Sequence, residues 1–199
     1  MPLMSDIINN PKTNPTYFRL LFYGYPKTRK TWLAATAIQA GFNTILLDFD
    51  KGHDIIKGKF TQEQYKRLLV VNAHDSLTNA TCCTFLTSFL KNGTINFNES
   101  TRKEIVYGQA IDEHCINLSI NKHINKNCVL IVDSYTSLIK SLTFKYAKEN
   151  NIDLSLAAKD EWPGYGWTGM LATWILDQLS KLECHVILIG HKSVYEKYK

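Results

Sequence analysis

Residues 17–41 read YFRLLFYGYPKTRKTWLAATAIQAG. An apolar run from Phe18 to Tyr23, broken only by Arg19, leads into a loop from Gly24. It has the pattern of a strand covered on both faces. The alanine-rich stretch from Thr31 to Ala40, closed by Gly41, reads as a helix with a glycine stop. Between them GYPKTRKT, residues 24–31, meets every fixed position of G-x-x-x-x-G-K-[ST] except Arg29, where glycine is expected. A strand leading in and a helix leading out let backbone N–H groups converge on phosphate oxygens.

On this reading Gly24, Tyr25, Pro26, Lys27, Thr28, Arg29, Lys30 and Thr31 form a nucleotide-binding loop. Lys30 meets the β- and γ-phosphates, the Thr31 hydroxyl ligates Mg2+, and Pro26 stiffens the loop. Arg29 has two outcomes. Either the loop keeps its shape and the guanidinium adds a bidentate phosphate donor, or the side chain crowds the site and weakens binding. A positive φ there would cost on the order of 1 kcal/mol. Taken alone, the segment also reads as a plain basic turn.

The rest of the chain alternates in kind. Buried strands are expected at Asn43 to Phe49, Leu68 to Asn72, Cys128 to Val132 and Cys184 to Ile189. Helices are expected at Leu77 to Leu90, Ile111 to Ile124, after Asp133 through about Lys148, and over Trp167 to Leu182, where apolar residues recur at three and four. This order predicts an α/β three-layer sandwich with a mainly parallel central sheet, whose ligands sit at the carboxyl ends of the strands.

Two strand ends carry carboxylates. Asp133, after VLIV, suits a magnesium ion held through water. Asp50, in LLDFDKG, is placed to orient or deprotonate a water, with a turn-forming role before Lys51 and Gly52 as the alternative. Asp48 shares its pleat face.

Length and composition set the frame. The 199 residues suggest one domain over residues 17–199, preceded by an arm over residues 1–16 that holds Pro2, Pro11 and Pro15. Residues 92–108 read as an inserted loop or hairpin. With 45% hydrophobic and 21% charged residues, wholesale disorder is excluded. The net charge of +5 is compatible with nucleic acid or phosphate ligands. No apolar run approaches the roughly 20 residues of a membrane span. The amino-terminal pattern is not that of a secretory leader. Five cysteines without CxxC spacing read as reduced thiols, so a cytoplasmic setting is expected, host cytoplasm for a viral chain.

Other groups favour plain roles. Cys82 and Cys83 read as core thiols, and His114, Cys115 and His123 lack zinc spacing. Trp162, Tyr165, Trp167 and Trp174 could stack bases, but helical spacing favours core packing. Lys57, Lys59, Lys66 and Arg67 read as a solvated face rather than a phosphate contact.

The order GYPKTRKT, LLDFD, LIVDSYTSL, a long helix and VILIGHK resembles the RecA-like P-loop NTPase core. In particular it is similar to small phage-type ATPases of the AAA/RecA fold, the Sak recombination group among them. The resemblance spans about Tyr17 to Lys192. It implies ATP with magnesium as ligand, Lys30 and Thr31 in the phosphate loop, Asp133 as the magnesium-linked aspartate, and Asp50 where a catalytic glutamate often stands. It also implies His191 as a sensor of the γ-phosphate. Asp50 is one methylene shorter than glutamate, and only Ser193 to Lys199 follow HK, which argues against polymerisation and strand exchange.

The function expected is Mg-dependent ATP binding and hydrolysis in phage-type DNA recombination or replication. Implied partners are single-stranded DNA, a recombination or replication protein, or further copies of the chain. The alternative is a catalytically degenerate P-loop module that acts by binding a protein partner or DNA. A nucleotide kinase is disfavoured because Arg102 is the only arginine after Arg67, leaving no arginine-rich lid.

Overall fold

Strands and helices follow one another as β1 (Arg19–Gly24), α1 (Lys30–Ala35), β2 (Asn43–Asp48), α2 (Gln62–Tyr65), β3 (Leu68–Asn72), α3 (Thr81–Asn92), β4 (Thr94–Asn96), β5 (Asn117–Ser119), β6 (Cys128–Asp133), α4 (Tyr135–Glu149), α5 (Tyr165–Lys181) and β7 (His185–His191). This is a computed structural model, and it describes residues 17–56, 58–76, 79–96, 117–119, 124–153 and 163–192. Five strands form one sheet in the order β1–β7–β6–β2–β3, every neighbouring pair parallel.

Alternation along the strands builds two cores. Ile45, Leu47, Leu69, Val71, Leu130 and Val132 face α3, α4 and α5. Leu46, Leu68, Val70, Val129 and Ile131 face the opposite side, where α1 contributes Ala34 and Ala35 and the loop segments contribute Ile38, Ile56 and Phe60. The result is the expected α/β three-layer sandwich, consistent with a RecA-like core. Trp167 and Trp174 pack against the first core, Trp167 tilted on Tyr146 with ring centroids 5.4 Å apart. Cys82, Cys83, Cys128 and Cys184 are free and buried. Lys59, Lys66 and Arg67 are exposed, Lys66 pairing with Glu63 at 2.6 Å. Among the described residues no helix is long and apolar enough to cross a membrane.

Several expectations are corrected. β1 is not covered on both faces: Leu21 and Tyr23 are 61% and 64% exposed, whereas β3, at the opposite edge of the sheet, is buried throughout. An apolar run reports hydrophobicity, not which elements pack over the strand. Arg19, its one polar residue, reaches across to carbonyls at the end of α5, donating to Ser180 O at 2.9 Å and Leu182 O at 2.6 Å.

The first helix is shorter than expected, tightening to a 3-10 turn over Thr36–Ile38 before Gly41 at φ +93°. The next long helix starts at Thr81 rather than Leu77. Its first turn is held from outside by Asp75, whose Oδ1 accepts from Cys82 N at 3.0 Å. Within the expected helix at Ile111 to Ile124, Asn117–Ser119 is instead a strand, paired antiparallel with Thr94–Asn96. Residues 1–16, 97–116 and 154–162, with Lys57, His114, Cys115, His123 and Trp162, lie outside the described residues.

Candidate functional site

β1 ends at Gly24 and hands the chain to a loop turned by two left-handed residues, Lys27 at φ 63° and Arg29 at φ 60°. Arg29 thus adopts the conformation that a glycine would take freely, at a cost on the order of 1 kcal/mol. Its side chain is exposed and the loop keeps a compact course into α1. Lys30 is 9% exposed and folds back over this loop. Its Nζ donates to Tyr25 O at 2.7 Å, Gly24 O at 3.1 Å and Thr28 Oγ1 at 3.2 Å. Burial lowers the Lys30 pKa from its ordinary value, opposed by the charges of Asp133 and Asp50.

Three adjacent strands deliver the remaining groups to the same end of the sheet. Asp48 and Asp133 are level across the β2–β6 ladder, and Asp133 is level with Ile189 across β6–β7, two residues before His191. Thr31 Oγ1 donates a short hydrogen bond to Asp133 Oδ2. Asp50 accepts from Ser137 Oγ and lies 2.9 Å from His191 Nε2. Asp133 is 1% exposed, and burial, reinforced by Asp48 and Asp50, pushes its carboxyl up to about 6.

Asp48 shapes the turn that carries Asp50. It is fully buried and accepts from Asp50 N at 3.2 Å, Gly52 N at 2.9 Å and His53 N at 2.9 Å, with His53 Nδ1 2.5 Å from Oδ2. The turn brings Gly52 against the site. A Cβ there would sit 3.0 Å from Asp133 Oδ2 and 3.3 Å from Thr31 Oγ1. Gly52→Ala is therefore expected to spread that pair. Isothermal titration with ATP should show magnesium-dependent affinity reduced by roughly tenfold, a loss of about 1.4 kcal/mol, while the far-ultraviolet circular dichroism stays unchanged.

α4 supplies groups that the sequence reading missed. Ser134 caps it by accepting from Ser137 N at 3.1 Å. Thr136 clips the end of β7, its Oγ1 accepting from His191 N at 2.8 Å. A serine following the strand-terminal aspartate signals such a cap, but nothing in the spacing assigns Ser137 to Asp50 or His53 to Asp48.

These side chains surround a cavity of about 630 Å³, inside the range usual for small-molecule sites. Lys27, Arg29, Lys30, Lys51 and Lys140 line it together with Asp50, Asp54, Asp133 and His191. All eight loop residues except Gly24 and Tyr25 face it directly, and those two contribute the carbonyls that hold Lys30. A divalent cation fits the donors present. Asp133 Oδ1 is buried without a hydrogen-bond partner, and a hydroxyl, Thr31 Oγ1, already meets the other oxygen. A family model described as an AAA domain matches residues 16–197. No curated protein matches the sequence.

Proposed function

The chain belongs to the AAA-domain family, and from that premise we propose that it binds ATP with magnesium and hydrolyses it, in DNA recombination or replication of the phage type. One observation carries the proposal. Thr31, Asp50, Asp133 and His191, from four separate segments, meet around one cation-rich cavity beside the loop of residues 24–31.

Lys30 exchanges its carbonyl partners for the β- and γ-phosphate oxygens, where a buried ammonium offsets charge more effectively than one in water. Backbone groups of the loop, with the Arg29 guanidinium, hold the remaining phosphate oxygens. Thr31 and, through water, Asp133 hold magnesium, which neutralises charge on the phosphoryl group being transferred. Asp50, fixed by Ser137 and His191, orients the attacking water and accepts its proton. His191, held against Asp50, reads the γ-phosphate.

Hydrolysis requires little covalent chemistry from the protein, so positioning carries most of the effect. Asp50→Asn keeps the shape and removes the proton acceptor. Steady-state phosphate release should fall by about 10²-fold, within the usual range for a general base, with ATP affinity nearly unchanged. An unaltered rate removes Asp50 from this role.

The DNA context rests on the motif order and on the +5 charge of the chain. It is tested by adding single-stranded DNA to the turnover assay, where stimulation is expected. The degenerate-module reading has less support, because Arg29 adopts the left-handed turn with its side chain exposed at the rim of a cavity that stays open.

A further inference from the structure

Three donor atoms that nucleotide chemistry would use separately lie side by side. His191 Nε2 is 2.9 Å from Asp50 Oδ2 and 4.0 Å from Asp133 Oδ1, and one ligand atom from each residue falls within 4.8 Å of the others. Asp133 is 1% exposed, its Oδ2 is taken by Thr31 Oγ1, and its Oδ1 faces this cluster with no hydrogen bond. A buried carboxylate oxygen without a donor is costly, and a cation is the group that satisfies it best.

We propose that Asp50, Asp133 and His191 form a binding site for a divalent transition-metal ion of the manganese, cobalt or zinc class, filled in the absence of nucleotide. The site goes beyond the ATP reading: it shares Asp133 with it, but takes its ligands from Asp50 and His191 rather than from Thr31 and phosphate.

The donor set decides the class of ion. Oxygen ligands alone suit magnesium and calcium, whereas an imidazole nitrogen shifts preference towards transition ions. Bonds of about 2.1 Å let one ion span donors up to about 4.2 Å apart, so the 2.9 Å and 4.0 Å separations already lie within reach. Each carboxylate is steadied through its other oxygen, Asp50 by Ser137 Oγ and Asp133 by Thr31 Oγ1. Two carboxylates balance the charge of a dication. Nδ1 of His191 is buried without a partner, so the ring lacks the hydrogen bond that usually orients a ligating histidine. Micromolar rather than nanomolar affinity follows.

The test uses the full chain, stripped with a chelator and free of nucleotide. Manganese chloride is titrated in and free Mn2+ followed by electron paramagnetic resonance. The expected result is one Mn2+ per chain at micromolar concentration, not displaced by a tenfold excess of magnesium chloride. His191→Ala should weaken binding at least about tenfold. Asp50→Asn, at an exposed position, should do the same, which keeps the proposal testable if the His191 variant does not fold. Lys30→Ala should retain Mn2+ whatever its effect on ATP, so failure of the metal site and failure of the nucleotide reading appear in different titrations. No binding at millimolar Mn2+, binding indifferent to His191→Ala and Asp50→Asn, or displacement by a tenfold excess of magnesium would overturn it.

Discussion

Lys30→Ala is expected to abolish measurable ATP binding, lowering affinity by 10²-fold or more as read by fluorescent-nucleotide titration. The reason is the state of Lys30 before any ligand arrives. The residue is 9% exposed, and its ammonium is already held by two carbonyls and a hydroxyl of the loop that it serves. Removing it deletes a charge-assisted contact to phosphate, and such contacts are roughly twice as strong as neutral ones. It also releases Gly24 and Tyr25 from the strap that shapes the loop. Two losses combine at one position, so the effect should exceed that of either. A titration curve matching the parent protein would remove Lys30 from the phosphate site and with it the proposed chemistry.

Asp133→Asn should separate stability from function in opposite directions. The Asp133 carboxyl titrates near 6 in the fold against an ordinary value of 3.8, chiefly because burial penalises its charged form. A raised carboxyl value means that the folded state binds the proton more tightly than the unfolded chain does. The penalty is absent below about pH 4, grows as pH rises through the interval to 6, and is complete above it. Two pK units correspond to about 3 kcal/mol. Asparagine carries no such penalty and can still accept from Thr31. Without metal or nucleotide, the variant should therefore melt several degrees higher than the parent at pH 7.5 and at nearly the same temperature at pH 3.5. Magnesium-dependent phosphate release should fall by 10²-fold or more. Equal melting temperatures at pH 7.5 would mean that Asp133 is already compensated in the free protein.

The parallel sheet was legible because β2, β3 and β6 are apolar runs that bury both faces, and such runs need no knowledge of partners to be recognised. β1 carries a similar run yet leaves Leu21 and Tyr23 exposed, although β3 at the opposite edge is buried throughout, since what packs over a strand is not contained in a linear pattern. The loop of residues 24–31 and the strand-terminal Asp133 stood out through spacing. Asp48 was noted only for its pleat face. Its actual task, gathering three backbone N–H groups and His53, comes from the path of the 50–53 turn, as does the close approach of Gly52. Ser137 and Thr136 reach Asp50 and the backbone of His191 only because α4 starts directly beneath β7.

The level alignment of Asp48, Asp133 and Ile189 makes strand length itself a determinant of the geometry of the site. Side chains alternate sides at every residue, so losing or gaining a single residue within β2, β6 or β7 would swing the terminal acid or imidazole to the wrong side of the sheet and move it by about 3.3 Å. A surface connection can absorb such an indel; these three strands cannot. Length variation is thus expected to be confined to the segments between them.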